Sequence, residues 1–176
     1  MCGICGIAVA RGGPQISEGI LRKMNASISH RGPDEDGFYV NEKVGLASRR
    51  LSIIDLTSGT QPISNEDGSI RIVFNGEIYN YRELRDYLEK HGHLFRTQSD
   101  TEAILHLYEE FGTDCLQHLD GIFAFAIWNE NKQELLLARD RMGIKPMYYT
   151  HLPDWQFIFG SEMKSILTNP AVKREI

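Results

Sequence analysis

The cysteine in second position carries more chemistry than any other residue of this sequence. Cys2 follows Met1 directly, and a small residue there permits removal of the methionine, leaving a cysteine with a free α-amine. An α-amino group titrates at about 7.7–8.0 and a cysteine thiol at about 8.5, so the amine can take the thiol proton near neutrality, directly or through water. A nucleophile and its base then share one residue, with no histidine needed. The competing reading makes Cys2 a small buried hydrophobe at the start of a strand.

Cys2 and Cys5 also spell C-x-x-C, the spacing of a redox dithiol or of half a zinc site. A structural zinc needs two more ligands at compact spacing. Cys115 stands alone, and His91 and His93 are two apart rather than the usual three to five, so no metal site is expected. On a strand, residues 2 and 5 point to opposite faces, which argues against a disulfide between them. Attack on a carbonyl also needs donors for the developing oxyanion. Asn75-Gly76 offers a side-chain amide and a backbone N–H, although by local sequence the dipeptide reads first as a hairpin turn.

The elements that must position these groups follow from periodicity. Cys2 to Val9 is small, β-branched and uncharged, the pattern of a strand buried on both faces. Ile20, Leu21, Met24 and Ile28 recur at helical spacing behind Ser17 as N-cap. His30 to Gly37 is loop chemistry, followed by short strand-like runs at Phe38 to Val40, Val44 to Ala47 and Leu51 to Leu56. Ser69 to Phe74 alternates as a strand that stops at Asn75-Gly76. A helix is expected over Tyr81 to Lys90, closed by Gly92, and a second one begins near Ser99, where Ser99-Asp100-Thr101-Glu102 fits a capping box and puts Asp100 at the helix N-terminus. Strands return at Ile122 to Trp128, Glu134 to Arg139, Met147 to Thr150 and Gln156 to Gly160, before a short helix from Glu162 to Leu167. Strands with helices grouped between them indicate an α+β fold with helices packed on antiparallel sheets.

Composition narrows the function classes. The 176 residues, 41% hydrophobic, suffice for one substantial core, and no internal boundary or repeat divides them. Nineteen basic and twenty-four acidic residues give a formal net charge of -5 without a basic block, which argues against nucleic acid as partner. No apolar run approaches the roughly 18 residues of a membrane helix, and the N-terminus lacks the basic region of an export signal. Three cysteines are an odd and sparse set, which points to the reducing cytoplasm. No glycine-rich phosphate loop follows a strand, so a nucleotide site has no support.

Several longer stretches are less generic. Met1-Cys2-Gly3-Ile4, His30-Arg31-Gly32-Pro33-Asp34, Arg50-Leu51-Ser52-Ile53-Ile54-Asp55, Phe74-Asn75-Gly76-Glu77-Ile78-Tyr79-Asn80, Ser99-Asp100-Thr101-Glu102, Asp120 to Ala126, Ala138-Arg139-Asp140-Arg141, Gly143-Ile144-Lys145-Pro146 and Ser161-Glu162-Met163-Lys164 occur in that order. Together they resemble the N-terminal glutaminase domain of glutamine-hydrolysing asparagine synthetases, a class II glutamine amidotransferase. The resemblance covers almost the whole chain and implies an N-terminal-nucleophile hydrolase fold, with two antiparallel sheets sandwiched between helices in αββα layers.

The same resemblance implies roles residue by residue. Cys2 matches the nucleophile that attacks the side-chain amide of L-glutamine, releases ammonia and leaves a thioester for water to hydrolyse. Asn75 and Gly76 match the oxyanion hole, Arg50 the residue that grips the substrate α-carboxylate, and Glu77 and Asp100 the contacts to its α-ammonium. Leu51, Ser52, Ile53 and Ile54 match backbone that lines the glutamine site. Arg49, beside Arg50, is expected on the opposite face. His30 and Arg31 are read as loop-fixing or domain-contact residues, and Arg139-Asp140-Arg141 as structural or interdomain ion pairs. Cys5 departs from the pattern, since relatives carry an apolar residue there.

The resemblance also implies that residues 1–176 are a glutaminase domain cut from a larger enzyme. The C-terminal synthetase domain that receives the ammonia, and brings the ATP and Mg²⁺ used on aspartate, is not encoded here, and no cofactor is expected for this domain itself. The sequence allows a homo-oligomer and leaves open a synthetase with a different acceptor. A non-catalytic interaction or metal-binding module on the same fold is the alternative of another class.

Overall fold

The computed structural model describes residues 2–51 and 59–173. Met1 and the expected glutamine-site residues Ser52, Ile53 and Ile54 lie outside the described residues, as does most of the expected run Leu51 to Leu56. The chain runs through β1 (Gly3–Val9), α1 (Glu18–Ser27), β2 (Glu35–Val40), β3 (Val44–Arg50), β4 (Ile63–Ser64), β5 (Ile70–Ile78), α2 (Tyr81–Lys90), α3 (Asp100–Phe111), β6 (Gly121–Asn129), β7 (Glu134–Arg139), β8 (Tyr148–His151), β9 (Gln156–Gly160) and α4 (Met163–Leu167). Short 3-10 turns at Ser29–Arg31 and Gly112–His118 join α1 to β2 and α3 to β6. No helix among the described residues is long and apolar enough to cross a membrane.

Every strand pairing among the described residues is antiparallel. One sheet has the order β2-β3-β1-β9-β8 and the other β4-β5-β6-β7. Side-chain alternation then sorts the core into three layers. Ile4, Val44, Leu46, Val73, Ala126, Trp128 and Phe159 fill the space between the sheets. Cys5, Ile7, Ala47 and Ile158 face the other way, with Leu21, Met24 and Ile28 of α1 and Ile166 of α4. Ile72, Phe74, Ile78, Phe123 and Phe125 turn outward from the second sheet, against Leu84 and Leu88 of α2 and Ile104, Leu105 and Tyr108 of α3. The result is the αββα sandwich expected from the sequence.

Local signals placed most elements. Ser17 Oγ accepts from Ile20 N at the start of α1, and Ser99 Oγ accepts from Thr101 N at the start of α3. Three departures concern the site. β2 begins at Glu35, inside the expected loop, because Glu35 and Asp36 pair with Arg50 and Arg49. β5 does not stop at Asn75-Gly76: these residues pair with Ala124 and Phe123 and the strand continues to Ile78, so ladder pairing with β6 overrides the turn preference of the dipeptide. The third is the capping box, where Glu102 does not reach back to Ser99. Its carboxylate takes the backbone N–H groups of Arg96 and Thr97 and the Thr97 hydroxyl, while Ser99 N donates to Thr97 Oγ1.

Gly6, in the middle of β1, shows how tightly the layers close. A Cβ at this position would lie 2.4 Å from Phe159 Cε1 and 2.6 Å from the carbonyl oxygen of Gly45. The ring of the neighbouring strand thus occupies the space a side chain would need. Gly6→Ala should destabilise the fold by about 1–3 kcal/mol through overpacking, read as a lower urea midpoint with an unchanged denaturant slope.

Candidate active site

Alternation along β1 and β5 decides which side chains meet. Cys2 has the parity of Ile4, and Asn75 that of Val73, so both face the space between the sheets, whereas Cys5 faces the helices. Arg50 has the parity of Leu46 on β3 and points the same way as Cys2. The three expectations converge at one end of the sandwich, in a pocket of about 110 Å³ lined by Cys2, Arg50, Leu51, Asn75, Gly76, Glu77 and Asp100. Gln61, Phe74, Ser99, Thr101 and Lys145 complete its wall. A larger cavity of about 860 Å³, bordered by Trp128, Trp155 and Phe157, holds no cysteine and no carboxylate. Size does not select the site; chemistry does.

Cys2 is held from both sides. Its carbonyl accepts a hydrogen bond from Arg31 Nε at 3.0 Å, and Arg31 Nη1 pairs with Glu162 at 3.1 Å. His30 Nε2 lies 2.9 Å from the same Glu162 oxygen. The next turn of chain is clamped as well: Ile4 N donates to the buried Ser161 Oγ, and Ser161 N donates to Ile4 O. The Sγ of Cys2 sits 3.7 Å from the Leu51 carbonyl oxygen. His30 and Arg31 therefore fix the loop, as expected, and Arg31 also fixes the backbone of the nucleophile candidate.

In the same pocket as the thiol, Asn75 is 1% exposed, yet neither Nδ2 nor Oδ1 has a hydrogen-bond partner among the described residues. Leaving a buried amide unpaired costs about 1–3 kcal/mol, which marks a side chain kept ready for a ligand. The backbone beside it is equally suited. Phe74 N donates to Gln61 Oε1 and Ile78 N to Asp100 Oδ2, both on the side of β5 away from β6. Alternation carries the Gly76 N–H between them on that same side, toward the pocket. Gly76 must be glycine, since a Cβ would lie 2.3 Å from the Ile122 carbonyl oxygen.

The charged groups are arranged by pairs and caps. Arg50 is 5% exposed and its Nη1 holds Glu35 Oε2 at 2.9 Å, while Thr60 Oγ1 donates to the same carboxylate oxygen. Arg49 turns to the helix side, where its Nε donates to the Asn25 carbonyl, as the parity argument required. Asp100 opens α3 and is 5% exposed. Burial pushes its carboxyl up to about 6, with the charge of nearby Glu77 adding to the effect and the N–H groups of Ile78 and Thr101 opposing it. Glu77 is exposed at the pocket mouth.

The C-x-x-C reading does not assemble. Cys2, Cys5 and Cys115 are all free, and burial pushes the Cys5 thiol up to about 12 and that of Cys115 to about 11. Of the structural or interdomain ion pairs expected for Arg139-Asp140-Arg141, none joins Asp140 to either arginine among the described residues; the Asp140 carboxylate accepts the N–H groups of Phe123, Ile144 and Lys145. Four backbone donors, with that of Gly143, hold the carboxyl below its ordinary range. This knot delivers Lys145 to the pocket, buried and without an ion pair among the described residues. Sequence reading assigned no role to Lys145 or to Gln61. Nothing local announces the bonds of Gln61 to Phe74 N and Thr101 Oγ1.

Comparison with known proteins agrees with this geometry. The chain is 48% identical to glutamine-hydrolyzing asparagine synthetase 2 of Bacillus subtilis (strain 168), over 99% of this chain and 23% of that protein. It is likewise 48% identical to asparagine synthetase 1 of the same organism, over 95% of this chain and 27% of that one. The chain thus spans about a quarter of the length of these relatives. Among solved structures, glutamine phosphoribosylpyrophosphate amidotransferase from B. subtilis superposes on 95% of this chain and 43% of its own, with a TM-score of 0.76 at 24% identity, which establishes the N-terminal-nucleophile fold. The glutamine amidotransferase domain family matches residues 1–176, from the nucleophile candidate to the last residue, and the chain belongs to that family.

Proposed function

We propose that this chain hydrolyses L-glutamine to glutamate and ammonia through a Cys2 thioester, and that it does so as the ammonia-producing portion of a longer asparagine-forming synthetase. The observation that carries the reading is the buried, unpaired amide of Asn75 in the same pocket as the Cys2 thiol. Removal of Met1 frees the α-amine of Cys2, which takes the thiol proton as sulfur attacks the δ-carbonyl carbon of glutamine. The carbonyl oxygen becomes an oxyanion held by Asn75 Nδ2 and the Gly76 N–H. Collapse of this intermediate breaks the C–N bond, and the amine passes its proton to the leaving ammonia. Water then attacks the thioester carbonyl, giving up a proton to the amine, and the γ-carboxylate and free thiol are released.

The other pocket groups select a free α-amino acid. Arg50, held by Glu35, presents its guanidinium to the α-carboxylate, and a planar fork suits that partner. Asp100 and Glu77 take the α-ammonium. The resemblance assigns the backbone of 51–54 to the lining of the glutamine site. The length of the relatives supports a C-terminal synthetase domain as recipient of the ammonia, with ATP and Mg²⁺ belonging to that domain and not to residues of this chain. We place the enzyme in the cytoplasm, where a reducing medium keeps Cys2 a thiol.

Three outcomes test the reading. Cys2→Ala and Cys2→Ser should each lower ammonia release from glutamine by about three orders of magnitude or more, and retention of activity in both would refute the thioester route. Asn75→Ala should lower kcat by about 10²–10³-fold with little change in KM, the pattern of a group used only when charge develops. In the Cys2→Ala background, where no chemistry competes, glutamine Kd measured by calorimetry should rise as pH falls through about 6. Protonation of Asp100 removes the anion that holds the ammonium, and Asp100→Asn should give weak binding with no such pH step.

A further inference from the structure

A second cluster with chemistry of its own lies outside the pocket, on the outer helical layer. Glu66 comes from the turn between β4 and β5, His93 from the loop after α2, and His106 from the second turn of α3. Each offers one ligand atom, and these atoms all lie within 4.8 Å of one another. The His106 side chain is 1% exposed and its Nε2 is buried without a hydrogen-bond partner among the described residues. The rings of His93 and His106 are 4.9 Å apart, centroid to centroid.

The surroundings are those of a metal-binding imidazole. Whichever ring nitrogen of His106 meets an ion, a carboxylate faces the other: Glu109 Oε2 is 2.7 Å from Nδ1, and Glu102 Oε1 is 3.7 Å from Nε2. Glu109 is itself held by Asn65 Nδ2 at 2.7 Å. Such a carboxylate fixes the tautomer and ring orientation and raises the basicity of the donor nitrogen. Glu110 Oε2 lies 3.4 Å from His93 Nε2. Four carboxylates thus surround two imidazoles; they favour a cation among them and raise the His106 imidazole to about 9, so a bound ion takes the place of a proton on that ring.

We propose that Glu66, His93 and His106 bind one zinc-class divalent cation. Two imidazoles and a carboxylate suit zinc, whereas calcium and magnesium take oxygen donors. A zinc tetrahedron has edges of about 3.4 Å, and exposed Glu66 and half-buried His93 sit on loops whose side chains can turn inward by that difference. The ion ties two loops to α3, the helix whose first residue is Asp100, so its work is to brace the wall of the glutamine pocket from outside rather than to take part in the reaction.

The test uses the 176-residue chain carrying Cys2→Ala, so that the pocket thiol cannot take the metal. Zinc titration should show one equivalent bound at about micromolar Kd or tighter, with a rise in Tm that a chelator reverses. His93→Ala and Glu66→Gln, both chosen to leave the buried His106 in place, should each weaken zinc by about tenfold or more and abolish the rise in Tm, while the metal-free Tm stays near that of the parent. Failure to take up zinc, or equal affinity in the parent and both variants, would overturn the assignment.

Discussion

The whole site depends on two strands from different sheets presenting the same parity to each other. β1 sends Cys2 and Ile4 inward and Cys5 outward, and β5 sends Val73 and Asn75 inward while Phe74 and Ile78 go to the helices. A strand cannot reverse one side chain without reversing its neighbours. The apolar packing of Ile4, Val73 and Phe159 between the sheets therefore fixes where a thiol and an amide end up, one residue pair beyond the last apolar contact. Core burial sets the geometry of the polar end.

At that end the sandwich stops being apolar, and several polar groups are held by others outside the pocket or in its wall. Arg31 holds the Cys2 carbonyl and is held by Glu162; Arg50 is held by Glu35; Gln61 bridges Phe74 N to Thr101 Oγ1. Asn75 stands apart, with a buried amide that no other group among the described residues satisfies. In the proposed reaction this is preorganisation in energetic terms: the cost of desolvating Asn75 is met on folding, before the substrate arrives.

The N-terminus of α3 joins the layers. Ser99 caps the helix, Glu102 ties it back to Arg96 and Thr97, and Asp100 spends one carboxylate oxygen on Ile78 N of β5. Asp100 is thereby a tether between helix and strand as well as a wall of the pocket. Its raised carboxyl is the consequence of being buried where the tether needs it. Further along the same helix, Glu109 joins His106 to Asn65 of the turn between β4 and β5.

Much of this was legible in the amino-acid order. Helix starts at Ser17 and Ser99, the alternating run before Asn75 and the buried first strand are local signals, written in periodicity and capping. The joint occurrence of motifs around Cys2, Arg50, Asn75 and Asp100 indicated the chemistry and the αββα layers. Only the tertiary structure decided that β5 runs on through Asn75-Gly76, that Glu102 reaches past Ser99, that Asp140 binds backbone rather than its arginine neighbours, and that Gln61 and Lys145 join the wall. The physical reason is the same in each case. These outcomes are settled by partners distant along the chain, or by backbone groups that no side-chain pattern reports, so their free energy is not a property of any local window.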